Sequence, residues 1–340
     1  MTGVALKHTQ IAYWLLTPKL FKMLHVAFLL LLYFNEAVAI KICSFNVQSF
    51  GEAKITKPEV VEVIVKVISR CDIMLLMEIK DSNNKAFLFL LSKLNSHAGG
   101  ANEYNAIISQ RLGRNTYKEQ YAFIYRKKMV AVKQTYQYLD LQPGDEDAFS
   151  REPYVVWFKC PKTAVKEFVI IPLHTTPEAS VREIDELYDV YLDVKQKWKT
   201  SNIIFIGDFN ADCGYVPKKQ WKNIRLRAQQ DFVWLIGDNN DTTVRTTTNC
   251  AYDRIVVHGE KLLNSIVPDS TAIFNFKEAF GLSEVQALAV SDHFPVEVKL
   301  KTTRGFLDWL KSIVPKKDST LGHHGGSIHL LFSATAKIKT

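Results

Sequence analysis

Between Lys41 and Leu300 the chain repeats one pattern, a short apolar run that stops at a polar or charged side chain. The runs are "IKICSFNV", "DIMLLMEI", "YAFIYR", "YVVWFKC", "EFVIIPLHT", "NIIFIGD", "DRIVVH" and "PVEVKL". They are too short for helices, and most lack the polar alternation of a half-exposed strand, so they read as strands buried on both faces. Helical segments fall between them. "PEVVEVIVKVIS" opens with Pro58 and Glu59, which suit a first helical turn. In "TPEASVREIDELYDVYLDVKQKW" Thr176 is read as the cap and Pro177 as the start. Val181, Ile184, Leu187, Tyr191, Val194 and Trp198 then repeat at helical spacing as a core-facing stripe. Strands buried on both faces with helices between them predict an α/β fold of two packed sheets with helices outside.

No linker or low-complexity stretch interrupts this pattern, and 47% apolar content supports a large core. Residues 40–300 are therefore read as one domain. Residues 1–39 read as a leader and signal peptide. "MLHVAFLLLLYFNEAVA" follows Lys19 and Lys22 and ends in a small-x-small site, and its apolar part falls short of the ~20 residues of a membrane span. Secretion is the expectation. Residues 301–340 hold seven Lys/Arg against two Asp, so +5 of the formal +8 lies there. "RGFLDWLKSIV" within them suits a short amphipathic helix. Such a tail is either a solvated appendage or a grip on phosphate-rich surfaces such as chromatin or anionic membrane. Past the leader the chain keeps Cys43, Cys71, Cys160, Cys213 and Cys250, which cannot all pair internally. CxxC spacing is absent, which argues against structural zinc.

Ligands of open α/β sheets collect at strand ends. Here the strand ends carry Asn46, Glu78, His174, Asp208 with Asn210, Asp253, and Asp292 with His293. Each is weak alone, since a lone histidine after a strand is more often hydrogen-bonded structure. As a set they agree. Oxygen donors (Glu78, Asp208, Asn210, Asn46, Asp292) suit a hard cation, Mg²⁺ or Mn²⁺. Two histidines beside carboxylates can share acid and base work, which with a metal is what phosphodiester hydrolysis needs.

"SFNVQSFGE", "MEIKDS", "RLGRNTYKEQYAFIYR", "FSREP", "PLHTTPE", "GDFNADC", "TTTNCAYDRIVVHG" and "SDHFPVEV" resemble the deoxyribonuclease I family, in order, over nearly the whole chain after the leader. The resemblance implies a four-layer sandwich of two packed mixed β-sheets flanked by helices, and a metal-dependent, monomeric endonuclease acting on double-stranded DNA with 5′-phosphate products. It makes His174 and His293 the acid/base pair, oriented by Glu119 and Asp253, and which is acid and which is base stays open. Arg151, Tyr117 and Lys80 resemble DNA contacts, although the family commonly has Arg where Lys80 stands, so the bidentate fork is lost there. Two Ca²⁺ sites are implied, one from Asp241, Thr243 and Thr248 and one from Asp147, Phe149 and Glu152. The second lacks the small disulfide found beside it in the pancreatic-type enzyme. Cys213 and Cys250 match the family's structural disulfide, Cys43 and Cys71 a pair typical of one branch, and Cys160 is left over. The same general fold serves abasic-site endonucleases, inositol-phosphate phosphatases and sphingomyelinases, and "SREP" and "NTYKE" favour the nuclease. The rival of another class is a catalytically dead DNA-binding or actin-binding homologue. No matched catalytic position is lost, which disfavours it.

Overall fold

All of the apolar runs form strands in the computed structural model, which describes residues 39–99, 103–141 and 147–303. The expected signal peptide, apart from its last residue Ala39, and the expected basic tail beyond Thr303 lie outside the described residues. In chain order the strands are β1 (Ile40–Phe50), β2 (Ile73–Ile79), β3 (Tyr104–Ile108), β4 (Gln120–Arg126), β5 (Ala131–Gln137), β6 (Tyr154–Lys159), β7 (Glu167–His174), β8 (Ile203–Asp208), β9 (Phe232–Trp234), β10 (Asp253–His258), β11 (Ala272–Ile273) and β12 (Val296–Leu300). They make two six-stranded sheets, ordered β11-β12-β1-β2-β4-β3 and β5-β6-β7-β8-β10-β9. Both are mixed, because β1–β2 and β7–β8 run parallel while their neighbours pair antiparallel.

Side-chain alternation explains why the runs look uniformly apolar. In β1, Ile40 and Ile42 face the core between the sheets, while Cys43, Phe45 and Val47 face the helices outside. In β8, Ile204 and Ile206 face inward, and Ile203 and Phe205 face the outer layer. Each face is covered, so each side chain gains roughly 1.5–3 kcal/mol from burial. The outer layer on the first sheet is built by α1 (Glu52–Ile55), α2 (Pro58–Ser69) and α3 (Lys85–His97). On the second sheet it is α4 (Ser180–Trp198), whose Ile184, Leu187, Tyr191, Val194 and Trp198 are buried as the spacing predicts. The cap differs from expectation. Thr176 precedes a 3-10 turn (Pro177–Ala179) and its side chain caps nothing. The buried Glu183 carboxylate instead accepts the Thr176 N–H at 2.9 Å, because α4 begins only at Ser180 and presents that acid backwards. Among the described residues no helix is long and apolar enough to cross a membrane.

Disulfides join Cys43 to Cys71 and Cys213 to Cys250, and Cys160 is free and buried in the intersheet core. Burial pushes the Cys160 thiol up to about 12, so almost no thiolate exists at neutral pH. Native protein should therefore resist alkylation at Cys160 and react there only once unfolded. Reduction should destabilise it, since the Cys213–Cys250 bond spans 37 residues and its loop closure is worth about 3–4 kcal/mol in the chain-entropy account. Non-reduced peptide mapping checks both, and Cys160 found in a disulfide would overturn the pairing.

Candidate active site

Sheet register assembles the site. Asp208 ends β8 and pairs across the sheet with His174 of β7 on one side and Asp253 of β10 on the other. The sheets meet here as well: Asn46 of β1 donates from Nδ2 to Asp208 Oδ2 at 3.1 Å and to Glu78 Oε1 at 3.0 Å. The backbone bends to achieve this. Glu78 and Asn210 both sit at left-handed φ (59° and 48°), a cost that persists only where the surroundings enforce it.

Both imidazoles present Nε2 to the same atom, Asp208 Oδ2, at 3.7 Å from His174 and 3.5 Å from His293. Behind each ring stands a carboxylate. Glu119 Oε1 lies 2.5 Å from His174 Nδ1, and Asp253 Oδ2 lies 2.7 Å from His293 Nδ1. These contacts hold the proton on Nδ1 and leave Nε2 facing the cleft. Burial opposes charge on His174, but the Glu119 carboxylate outweighs it and raises the ring above the ordinary imidazole range. Burial opposes charge on His293 as well, but Asp208 and Asp253 together raise that ring well above the ordinary imidazole range. Burial would also raise Asp208, yet His293 and His174 hold it below the usual carboxylate range.

Several supporting residues gave little sign of themselves in the sequence. The Tyr121 hydroxyl accepts the His174 N–H (2.9 Å) and donates to the Arg151 carbonyl (3.3 Å). The Ser291 hydroxyl donates to the Asn46 carbonyl (2.6 Å) and accepts the His293 N–H (3.0 Å), tying β1 to the second histidine's loop. Lys54 of α1 donates to the carbonyls of Val47, Gln48 and Val290, joining the same two segments. Their hydrogen bonds depend on partners far along the chain, which no local motif displays.

The other expected residues fall unevenly. A cleft of about 500 Å³ is lined by Tyr117, Arg151, Glu78, Asn210 and both histidines. Arg151 lines this cleft from a largely buried position. Its Nε is committed to Glu119 (3.0 Å) and the His174 carbonyl (2.9 Å), so it also positions the first imidazole. Lys80 lies on the rim, 4.0 Å over the Tyr117 ring and donating to Ser49 Oγ at 2.9 Å. Asn46 has both amide ends engaged, since its Oδ1 accepts the Gln48 N–H, so it holds the two acids rather than offering itself to a phosphate. Asn210 turns Nδ2 to Thr175 (3.3 Å) and so directs Oδ1 away from it. Asp292 neighbours His293, but among the described residues its carboxylate makes no hydrogen bond to the Glu78–Asn46–Asp208 group.

The first implied calcium loop converges. Asp241 Oδ1 accepts from Thr243 N, Thr243 Oγ1 and Cys250 N, and Thr243 Oγ1 reaches the Thr248 carbonyl at 3.2 Å. The second is different. The Arg114 guanidinium stands on the carbonyls of Asp147 and Phe149 and pairs with the Asp147 carboxylate at 3.4 Å, so a side-chain cation already holds oxygens assigned to calcium. Glu152 joins neither group by a side-chain bond among the described residues, and burial raises its carboxyl.

The model of the endonuclease/exonuclease/phosphatase family matches residues 43–293. Deoxyribonuclease gamma of Homo sapiens is 61% identical over 85% of this chain and 95% of its own length. The chain belongs to this family, within its deoxyribonuclease I branch. Deoxyribonuclease-1 of Oryctolagus cuniculus is 51% identical over 78% of the chain and 93% of its own length. Among solved structures, the human Nocturnin catalytic domain aligns with a TM-score of 0.52 at 15% identity, over 78% of this chain and 95% of that one. D. rerio TDP2 complexed with single-strand DNA product aligns at 0.53 and 14%, over 78% and 100%. These distant likenesses speak for the fold alone. Membership of the deoxyribonuclease I branch makes the chain a nuclease.

Proposed function

We propose that the chain is a secreted, divalent-metal-dependent endodeoxyribonuclease that leaves 5′-phosphate ends. The observation that carries the mechanism is the convergence of two carboxylate-backed imidazoles on Asp208 Oδ2. With Nδ1 tied back, each ring works through Nε2. One Nε2 takes a proton from the attacking water, and the other gives a proton to the departing 3′ oxygen. Asp208 sits between the rings and spaces the proton donor and acceptor on either side of one phosphate position.

The donor set fits a hard cation. Asn46 Nδ2 draws the Glu78 and Asp208 carboxylates to a common amide, and among the described residues no thiol or further imidazole joins them. Glu78, Asp208 and the Asn210 Oδ1 would hold Mg²⁺ or Mn²⁺. Such an ion supplies charge neutralisation at the scissile phosphate. The Asp208–Asp253–His293 grouping could also be read as a metal site, but His293 Nδ1 is already engaged by Asp253 Oδ2 at 2.7 Å, so that pair is read as an oriented imidazole. A Ca²⁺ ion fits the Asp241 loop better than the Arg114-occupied one.

Supercoiled plasmid incubated with Mg²⁺ should be nicked and linearised, and EDTA should abolish this. Product ends should accept ligation without prior phosphorylation. Cleavage that survives EDTA would remove the metal from the mechanism. For the basic tail, deletion of residues 305–340 should spare plasmid cleavage and weaken cutting of nucleosome arrays. Equal array cutting across a salt series would show that the tail is only an appendage.

A further inference from the structure

The second sheet has a far end. β7 begins at Glu167 and reaches His174 seven residues later, so the start of that strand lies roughly 23 Å from the catalytic row. An open groove of about 600 Å³ occupies this end. Five lysines converge on it from separate segments: Lys133 of β5, Lys159 closing β6, Lys166 before β7, Lys199 after α4, and Lys261 beyond β10. Only Lys133 has an acidic partner among the described residues, Glu167 at 2.8 Å. Concentrating unpaired ammonium groups is unfavourable unless an anion joins them.

The backbone adds an independent sign. Lys166 and Lys199 hold left-handed φ of 65° and 51°, conformations that glycine or asparagine adopts more easily. Lys199 is the C-terminal cap of α4, a position where glycine is the usual solution. The chain keeps a charge there at a conformational cost, and such costs point to use.

We propose that this groove binds a second segment of duplex DNA through its phosphates, an inference resting on the reading of DNA as substrate. The four unpaired ammonium groups exceed what a single phosphate neutralises, so a polyanion is the fitting occupant. The floor excludes base stacking as the grip. Trp157 and Trp198 stack on each other (5.3 Å between centroids, 28°), and Lys133 Nζ covers the Trp157 ring at 3.5 Å, which favours backbone contacts to a duplex over a stacked single strand. Duplex DNA is stiff over ~150 base pairs, so a short piece seated in the cleft does not bend round to the far end. A long or compacted DNA supplies a second segment, and holding it slows release of the enzyme between cuts.

The test compares the full-length enzyme with Lys159→Gln/Lys166→Gln/Lys199→Gln/Lys261→Gln, which keeps uncharged side chains of comparable reach. On a duplex of about 12 base pairs, roughly 40 Å long, the two should cleave within about twofold of each other. On linear DNA of several hundred base pairs the variant should show a KM raised about tenfold near physiological salt. Its log–log salt dependence should be shallower by about 3.6, from ~0.9 for each of the four phosphates that are no longer neutralised. If the quadruple variant does not fold, Lys159→Gln/Lys261→Gln avoids both left-handed positions and should show about half the slope change. Equal salt dependence on long DNA would make the lysines a solvated face and overturn the proposal. So would an equal drop in cleavage on both substrates, which would place the effect in the cleft's field. Wild-type enzyme that cuts neither duplex would instead overturn the nuclease reading itself.

Discussion

His174→Ala and His293→Ala should each lower plasmid cleavage by at least the ~10²–10⁴-fold typical of lost proton transfer, with the fold retained by circular dichroism. The argument is geometric. Each Nε2 reaches Asp208 Oδ2 from its own side, and each Nδ1 is already bonded, so neither ring can stand in for the other. The orienting acids give a more discriminating result. Burial works against a proton on His174, and Glu119 is the main group that restores it. Glu119→Gln keeps the shape but removes the negative charge, leaving Arg151 to repel the protonated ring. The His174 ionisation should therefore move to lower pH, and with it one limb of the pH–rate profile. Asp253→Asn should do the same for the His293 limb, since Asp253 is one of the three carboxylates that raise it. The two limbs then tell which histidine is the base, because the base must be neutral and the acid protonated. A histidine variant that cuts plasmid at close to the wild-type rate would remove that ring from the mechanism.

Gly207→Ala should lose stability and activity together. Gly207 stands at φ +146°, and a Cβ there would lie 2.0 Å from the Leu173 carbonyl oxygen. That oxygen belongs to the adjoining parallel strand, paired with Gly207 one step before His174 pairs with Asp208. Strain at a glycine-only backbone position costs roughly 1–3 kcal/mol and overpacking a further 1–3, so about 2–6 kcal/mol is expected. For a domain of this size that is a fall in Tm of several degrees, up to ~20 °C. Relieving the clash means parting β7 from β8, which pulls His174 away from Asp208. Residual activity should thus fall further than the folded fraction measured at the same temperature. A melting temperature equal to wild type would show that the close approach of the two strands is not rigid.

Apolar patterning located the strands only where both faces are covered. The eight runs legible in the sequence are the interior strands of the two sheets, and the four without a run (β3, β5, β9 and β11) are the sheet edges. An edge strand such as β5, "AVKQTYQ", exposes much of its length and carries too little burial to leave an apolar signature. The residue types of the candidate site, their places at strand ends and the free Cys160 could likewise be read from local pattern and resemblance, because each depends on a motif a few residues long. What the motifs could not contain was relative position. That two imidazoles share one oxygen of Asp208 follows from the β7–β8–β10 register and from the Ser291 and Lys54 bonds that bring β1 to the His293 loop. Asn46 joins the acids instead of facing a phosphate because two sheets meet at its amide. Arg114 settles on carbonyls more than thirty residues away, and lysines from five separate segments gather at the far end of a sheet. Which groups exist and which segments are buried can be read residue by residue, since burial and residue chemistry are local quantities. Distances between groups on different segments are set by strand register and sheet packing, and they exist only once the chain has folded.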